Sequence, residues 1–264
     1  MVSIRKPRFK EQLYTWNSHA DPVIKRGKFY TLICHIKGLA GDLLMLGVLT
    51  ATFPFTLSAR QPKVLKEQTP ILLIHGYLHN SSGWFYIRHQ LVKQGYRVYT
   101  IDLGSPFNSI QQYAQKVDRE AKRIAQETGT QKLNIVAHSM GGLVASCYAT
   151  DYAPSGSVEK IVTLGSPMEG TKLASLAAAI RFGECARQME HNSPFVMQQN
   201  QKNANSSTQF YHLSAVGDPI IRPNSSALAN NPKAKTQQIF GLGHTSFFCS
   251  PQAVKYIHSA ISAA

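Results

Sequence analysis

Acidic side chains are scarce in this sequence. The 264 residues carry 14 Asp and Glu against 28 Lys and Arg, a formal charge of +14, and only 16% of the chain is charged, where roughly 25% is usual. An excess of that size points to an anionic partner, either nucleic acid or an anionic lipid surface. No nucleic-acid-binding motif accompanies the charge, which disfavours nucleic acid as the partner. The excess is also uneven. Residues 1–66 hold eleven basic and three acidic side chains, and residues 67–264 hold seventeen and eleven over three times the length. Cysteine is scarce too. Cys34, Cys147, Cys185 and Cys249 are too few for a disulfide scaffold, and without C-x-x-C spacing they speak against structural zinc. A Cys185–Cys249 bridge stays open for an oxidising compartment, while Cys147 falls in a helical pattern and reads as a small packed apolar residue. There is no internal repeat and no low-complexity tract, which excludes a repeat architecture. What is present is globular. A 43% hydrophobic content with 18 glycines rules out disorder along the whole length.

The N-terminal quarter reads as an extension, residues 1–66, ahead of a larger domain, residues 67–264. Its apolar segment, 38–57, is interrupted only by Asp42, and fifteen uncharged residues run from Leu43 to Leu57 with Pro54 among them. A spanning helix wants about 20 residues and a core or interfacial one about 10–14, so the run falls between. Two readings stand: a membrane-associated segment, or a helix packed on the following domain. A cleaved signal peptide fits poorly, because a 37-residue polar leader is too long. The polar, basic stretch 58–69 reads as a linker.

From residue 70 the pattern alternates. Apolar strand-like runs at Pro70–His75, Tyr96–Leu103, Leu133–Ala137, Val158–Leu164 and Phe210–Gly217 are separated by helical stretches at Gly83–Gln94, Ile110–Gln126 and Gly141–Tyr152. Pro251–Ala263 reads as a last helix. Strands alternating with helices predict an α/β fold, a mostly parallel central sheet with helices on both faces. Ligands in such sheets bind beyond the carboxyl ends of the strands. That places the chemistry near Gly76, Leu103, Ser139, Leu164, Asp218 and His244.

The sharpest feature is Leu133-Asn134-Ile135-Val136-Ala137-His138-Ser139-Met140-Gly141-Gly142. A strand runs straight into a helix with one serine at the corner, and small residues at 137, 141 and 142 permit the tight turn. That turn exposes the hydroxyl and aims a helix N-terminus at it. Ala137–Gly142 resembles the nucleophile elbow of α/β-hydrolase lipases, with alanine in place of the first glycine. His75-Gly76-Tyr77 after a strand resembles the oxyanion motif of that family, with His79 where some lipases have glycine. Gly165–Thr171 resembles the segment that lipases carry after the next strand. The similarity covers roughly residues 69–264.

The resemblance implies a Ser-acid-His order. Ser139 is the expected nucleophile. Asp218, which follows the Phe210–Gly217 run, is the expected acid, with Glu169 the runner-up. His244, in a Gly-rich loop taken to follow a strand at Ile239, is the expected base in preference to His258. Backbone N–H groups of Tyr77 and Met140 are the expected oxyanion hole, with His75 bracing that loop and His138 structural. The reading is a serine hydrolase of carboxylic esters, lipid acyl esters above all, with an acyltransferase or thioesterase on the same triad as the alternative. No cofactor or metal is implied. The remaining histidines read as surface or packing residues. Residues 173–207 read either as a lid or as a helix on the sheet, with Gln198–Thr208 a polar loop. Trp84, Phe85 and Tyr86 read either as core or as acyl-site lining.

Overall fold

A computed structural model of the chain describes residues 16–18, 27–52, 68–179, 183–229 and 231–263. Most of the predicted linker and residues 53–57 of the apolar segment lie outside them. The elements, in order, are β1 (Asn17–Ser18), α1 (Lys28–Thr52), β2 (Ile71–Ile74), α2 (Phe85–Lys93), β3 (Val98–Ile101), α3 (Ile110–Thr128), β4 (Leu133–His138), α4 (Met140–Asp151), β5 (Val158–Leu164), α5 (Lys172–Ala179), α6 (Glu184–Gln188), α7 (Pro194–Asn205), β6 (Gln209–Ala215), β7 (Lys235–Ile239) and α8 (Pro251–Ser262).

The sheet order is β1-β7-β6-β5-β4-β2-β3. The six strands from β3 to β7 are all parallel, and the two residues of β1 pair antiparallel on the β7 edge. Parallel strands covered on both faces have no polar side to show, and the Ile-Leu-Leu-Ile of β2 is buried at every position. The period of two still sorts its side chains. Leu72 and Ile74 pack with α3, α4, α6 and α7 on one face, while Ile71 and Leu73 pack with α1, α2 and α8 on the other.

α3 is the helix most fully specified by its own sequence. Ser109 and Gln112 form a reciprocal capping box at its start, and Gly129, with φ 74°, ends it in the left-handed conformation. Two stretches differ from expectation. Residues 198–205 of the predicted polar loop are the greater part of α7, whose start is capped by the Ser193 side chain. Beside Val196, the buried side of that helix is polar, Gln199 and Asn203. Gln199 Nε2 donates to Thr150 Oγ1 (3.0 Å) and to Asn203 Oδ1 (3.1 Å), so it lacks the apolar stripe that marks a helix in sequence. The strand ahead of His244 lies at 235–239, upstream of where it is expected, because its Lys-Thr-Gln-Gln-Ile sequence belongs to a half-exposed strand with a single apolar residue.

Candidate active site

Ser139 stands where β4 turns into α4, with φ 53° and ψ −129°. A positive φ on a residue with a side chain costs about 1–3 kcal/mol and survives only where its surroundings enforce it. The Ser139 N–H donates to the Leu164 carbonyl at the end of β5 (3.0 Å), and the Gly142 N–H returns to the Ser139 carbonyl (3.0 Å). The turn after β2 presses in from the side. A Cβ at Gly76 would come within 2.8 Å of the Ser139 Cβ, so only glycine lets that turn pass. The seryl side chain is left pointing at an imidazole.

That imidazole is His244, whose Nε2 lies 2.9 Å from Ser139 Oγ. Its Nδ1 lies 2.8 Å from Asp218 Oδ2. A carboxylate only accepts, so Nδ1 carries the proton and Nε2 is the bare nitrogen facing the seryl hydroxyl. The other oxygen of Asp218 accepts the Ile220 and Ile221 N–H groups at 2.7 and 3.0 Å. Burial by itself would raise the Asp218 carboxyl. The charge and hydrogen bond of His244, with the two backbone donors, outweigh it and hold the carboxyl below its ordinary value. For His244 the balance has the opposite sense. Burial would lower it, but the Asp218 charge and hydrogen bond, with a contribution from Asp42, raise it above the ordinary imidazole value.

Two further groups hold the loop that carries His244. His138 Nε2 donates to the His244 carbonyl at 2.9 Å. Burial, and the facing rings of His244 and His79, hold His138 well below its ordinary value, so it stays neutral. From α1, the Asp42 carboxylate accepts the N–H groups of His244, Thr245 and Ser246 at 2.7, 2.8 and 3.0 Å. Sequence reasoning missed Asp42, which figured only as the interruption of an apolar run. A lone carboxylate amid apolar residues marks the position as unusual but does not name its partners, which lie more than 200 residues away.

The predicted oxyanion donors flank Ser139. Met140 is the first residue of α4, and Tyr77 follows Gly76 in the adjoining turn. His75 braces that turn: Nδ1 donates to the Gly76 carbonyl (2.8 Å) and Nε2 accepts from the Leu103 N–H (2.9 Å). The runner-up groups lie elsewhere. The backbone carbonyl of Glu169 receives His191 (3.0 Å), and His258 bonds to the Tyr96 hydroxyl (2.9 Å). His212, buried, pairs with Thr163 Oγ1 (2.8 Å). His79 stacks on Phe248, and burial, helped by His244 and His75, pushes it down to about 4. Trp84 is fully buried, edge-on to Phe248 at 4.9 Å, so it is core on the α1–α2–α8 face. All four cysteines are free thiols. Cys185 is buried with α3, α4, α6 and α7 while Cys249 touches Met45 of α1, and the open 185–249 bridge is therefore not made. Among the described residues no three or more His, Cys, Asp or Glu side chains are gathered for a metal ion.

A family model described as the alpha/beta hydrolase fold matches residues 69–212. That span includes Ser139 and stops short of Asp218 and His244. A triacylglycerol lipase of Pseudarthrobacter phenanthrenivorans is 30% identical over 114 residues, which are 40% of this chain and 35% of the relative. A proline iminopeptidase of Lactobacillus delbrueckii subsp. lactis is 30% identical over 118 residues, 41% of this chain and 40% of the relative. The chain thus spans well under half the length of these curated relatives. The crystal structure of the mature Bacillus licheniformis lipase BlEst2 is similar with a TM-score of 0.63 at 20% identity, covering 76% of this chain and 95% of that one. At that identity the likeness is one of fold.

Proposed function

The chain belongs to the alpha/beta hydrolase fold family, and from that premise we propose that it hydrolyses carboxylic esters, lipid acyl esters in particular, through Ser139, His244 and Asp218. One observation carries the reading: Ser139 Oγ lies 2.9 Å from an imidazole nitrogen whose opposite nitrogen is already held by a buried carboxylate at 2.8 Å. A hydroxyl is a weak nucleophile, and this arrangement supplies the base it needs.

In this mechanism His244 Nε2 takes the Ser139 proton as Oγ attacks the ester carbonyl. Asp218 keeps the ring in the productive tautomer and favours its cationic form. The backbone N–H groups of Tyr77 and Met140 receive the negative charge that develops on the carbonyl oxygen, roughly 3–4 kcal/mol for one such donor. His244 returns the proton to the leaving alkoxide, leaving an acyl-Ser139 ester. A water molecule, deprotonated by the same imidazole, then releases the carboxylic acid.

The preference for lipid rests on the N-terminal quarter. α1 is long and apolar enough to cross a membrane, and Phe29, Leu32, Ile36, Leu39, Leu43 and Leu44 on it are exposed. Asp42 lies mid-helix and is engaged by the His244 turn. A carboxylate at the bilayer centre costs about 2.5–3.5 kcal/mol on insertion scales, so we place the helix along the lipid surface, where the basic excess of residues 1–66 favours anionic headgroups.

The reading is tested by turnover of p-nitrophenyl esters of graded chain length, with acyl-CoA, phospholipid and a prolyl p-nitroanilide in parallel. Ester cleavage lost in Ser139→Ala is expected. Cleavage of the anilide alone, or of esters by the Ser139→Ala protein, would overturn it. Co-sedimentation with phosphatidylglycerol but not phosphatidylcholine vesicles is expected, and equal failure to bind both would remove the membrane placement.

A further inference from the structure

We propose that Asp42 is a positioning residue for His244: from α1 its carboxylate fixes the turn that carries the imidazole, so this helix is part of the hydrolytic apparatus as well as its lipid-facing surface. The inference rests on the reading of His244 as the base.

The contact is built from several sides. Both oxygens are used, Oδ2 by the His244 N–H (2.7 Å) and Oδ1 by the Thr245 and Ser246 N–H groups (2.8 and 3.0 Å). The Thr245 hydroxyl adds a fourth bond to the carboxylate, also on Oδ1, at 3.1 Å. Three consecutive amides converging on one carboxylate fix the rotation of that turn and with it the direction of the His244 side chain, which then meets Ser139 on one edge and Asp218 on the other. The backbones are brought together by missing side chains. A Cβ at Gly38 would come within 2.9 Å of the Gly217 and Leu242 carbonyl oxygens, and one at Gly243 would land on the Asp42 carboxylate. Cys34, Gly38, Asp42, Met45 and Leu49 recur at three- and four-residue spacing, one stripe of α1. Its apolar members Cys34, Met45 and Leu49 are buried, while Leu32, Ile36, Leu39, Leu43 and Leu46 stay exposed. The amide-bound carboxylate sits in the middle of that docked stripe. The titratable groups facing His244 are Asp218, Asp42, His138 and His79, and Asp42 is the one supplied by α1.

The test uses the full chain in mild detergent, with p-nitrophenyl butyrate as substrate, active sites counted with a fluorophosphonate, and melting followed in parallel. Asp42→Asn should lower kcat per active site on the order of 10²-fold, the size expected when a reacting group is displaced by about 1 Å, while KM stays within about threefold. The midpoint of the rising pH limb should also move down, because a negative charge near the imidazole is gone. Asp42→Glu should recover part of kcat. A helix that merely stabilises the fold would instead lower the melting temperature and the active fraction, leaving kcat per site and the pH midpoint where they were. That outcome overturns the proposal. If Asp42→Asn does not fold, Thr245→Val decides: it removes one bond to Asp42 without stranding a charge, and a several-fold loss of kcat supports the proposal while an unchanged kcat overturns it. Activity surviving in His244→Ala would instead overturn the reading of the base. Silence of His244→Ala beside unaltered Asp42→Asn and Thr245→Val proteins would overturn the role of Asp42 alone.

Discussion

His138 donates from Nε2 to the backbone carbonyl of His244 at 2.9 Å, although 106 residues separate the two in sequence. Its chain neighbour is Ser139, so the strand end that presents the seryl hydroxyl also grips the loop that carries His244. The proposed nucleophile and base, 2.9 Å apart, are thereby both referred to one short stretch of backbone.

Removing that grip should be costly. His138→Ala leaves a buried carbonyl without its donor, worth about 1–3 kcal/mol, and a cavity beside it. Urea denaturation should show a lowered midpoint, and kcat should fall more than KM rises. Unchanged values of both would mean that the bond holds nothing in place.

The acid assignment separates two carboxylates. Asp218→Asn should reduce ester turnover by several powers of ten, since the analogous change in a serine protease costs about 10⁴-fold, while Glu169→Gln should turn over as the unmodified chain does. A silent Glu169→Gln protein beside an active Asp218→Asn protein would reverse the assignment.

The pH dependence follows from His244, which titrates above its ordinary value of 6.5 in the folded chain. If His244 is the base, as proposed, turnover requires its neutral ring, and the rate should rise with pH through an apparent pKa above 6.5. Stability moves the opposite way. A raised folded pKa contributes stability that is fully present below the unfolded value and is lost as pH rises through the folded one. The melting-temperature gap between Ser139→Ala and Ser139→Ala/His244→Gln should therefore narrow from pH 6 to pH 9. A constant gap would show that His244 gains nothing from its partners.

The thiols offer a check independent of catalysis. Cys249 is exposed, whereas Cys34, Cys147 and Cys185 are buried, and burial pushes Cys147 up to about 12 and Cys185 up to about 11. A native-state thiol reagent should modify Cys249 first and the others only on unfolding, because the thiolate is the reactive form. A reductant should leave the melting temperature unchanged, and a reductant-sensitive melt would point to a bridge.

What was legible in the sequence was whatever the fold makes apolar or strained. The Ile-Leu-Leu-Ile of β2, the run of β4 and the Val158–Leu164 strand stand out because both of their faces are covered. Ser139 stands out because the small residues around it serve a turn that few sequences need. The α7 helix and β7 strand did not stand out, since α7 buries Gln199 and Asn203 and β7 carries one apolar residue. Each buries a single apolar residue, Val196 or Ile239, too few to make a pattern in hydropathy, which cannot register their hydrogen bonds. Asp42 was illegible for a different reason. Its partners lie more than 200 residues away, and no periodicity links two segments so far apart.

That separation has a consequence in time. Asp42 and His244 are 202 residues apart, and at synthesis rates of about 5–20 residues per second the first leaves the ribosome roughly 10–40 s before the second. Through that interval the carboxylate has none of the amides that receive it in the finished molecule, although β2, which α1 packs on, follows within about thirty residues. The proposed hydrolytic centre therefore cannot form on a nascent chain that ends before residue 246, and a translation product halted earlier would be inert however well its first strands had folded.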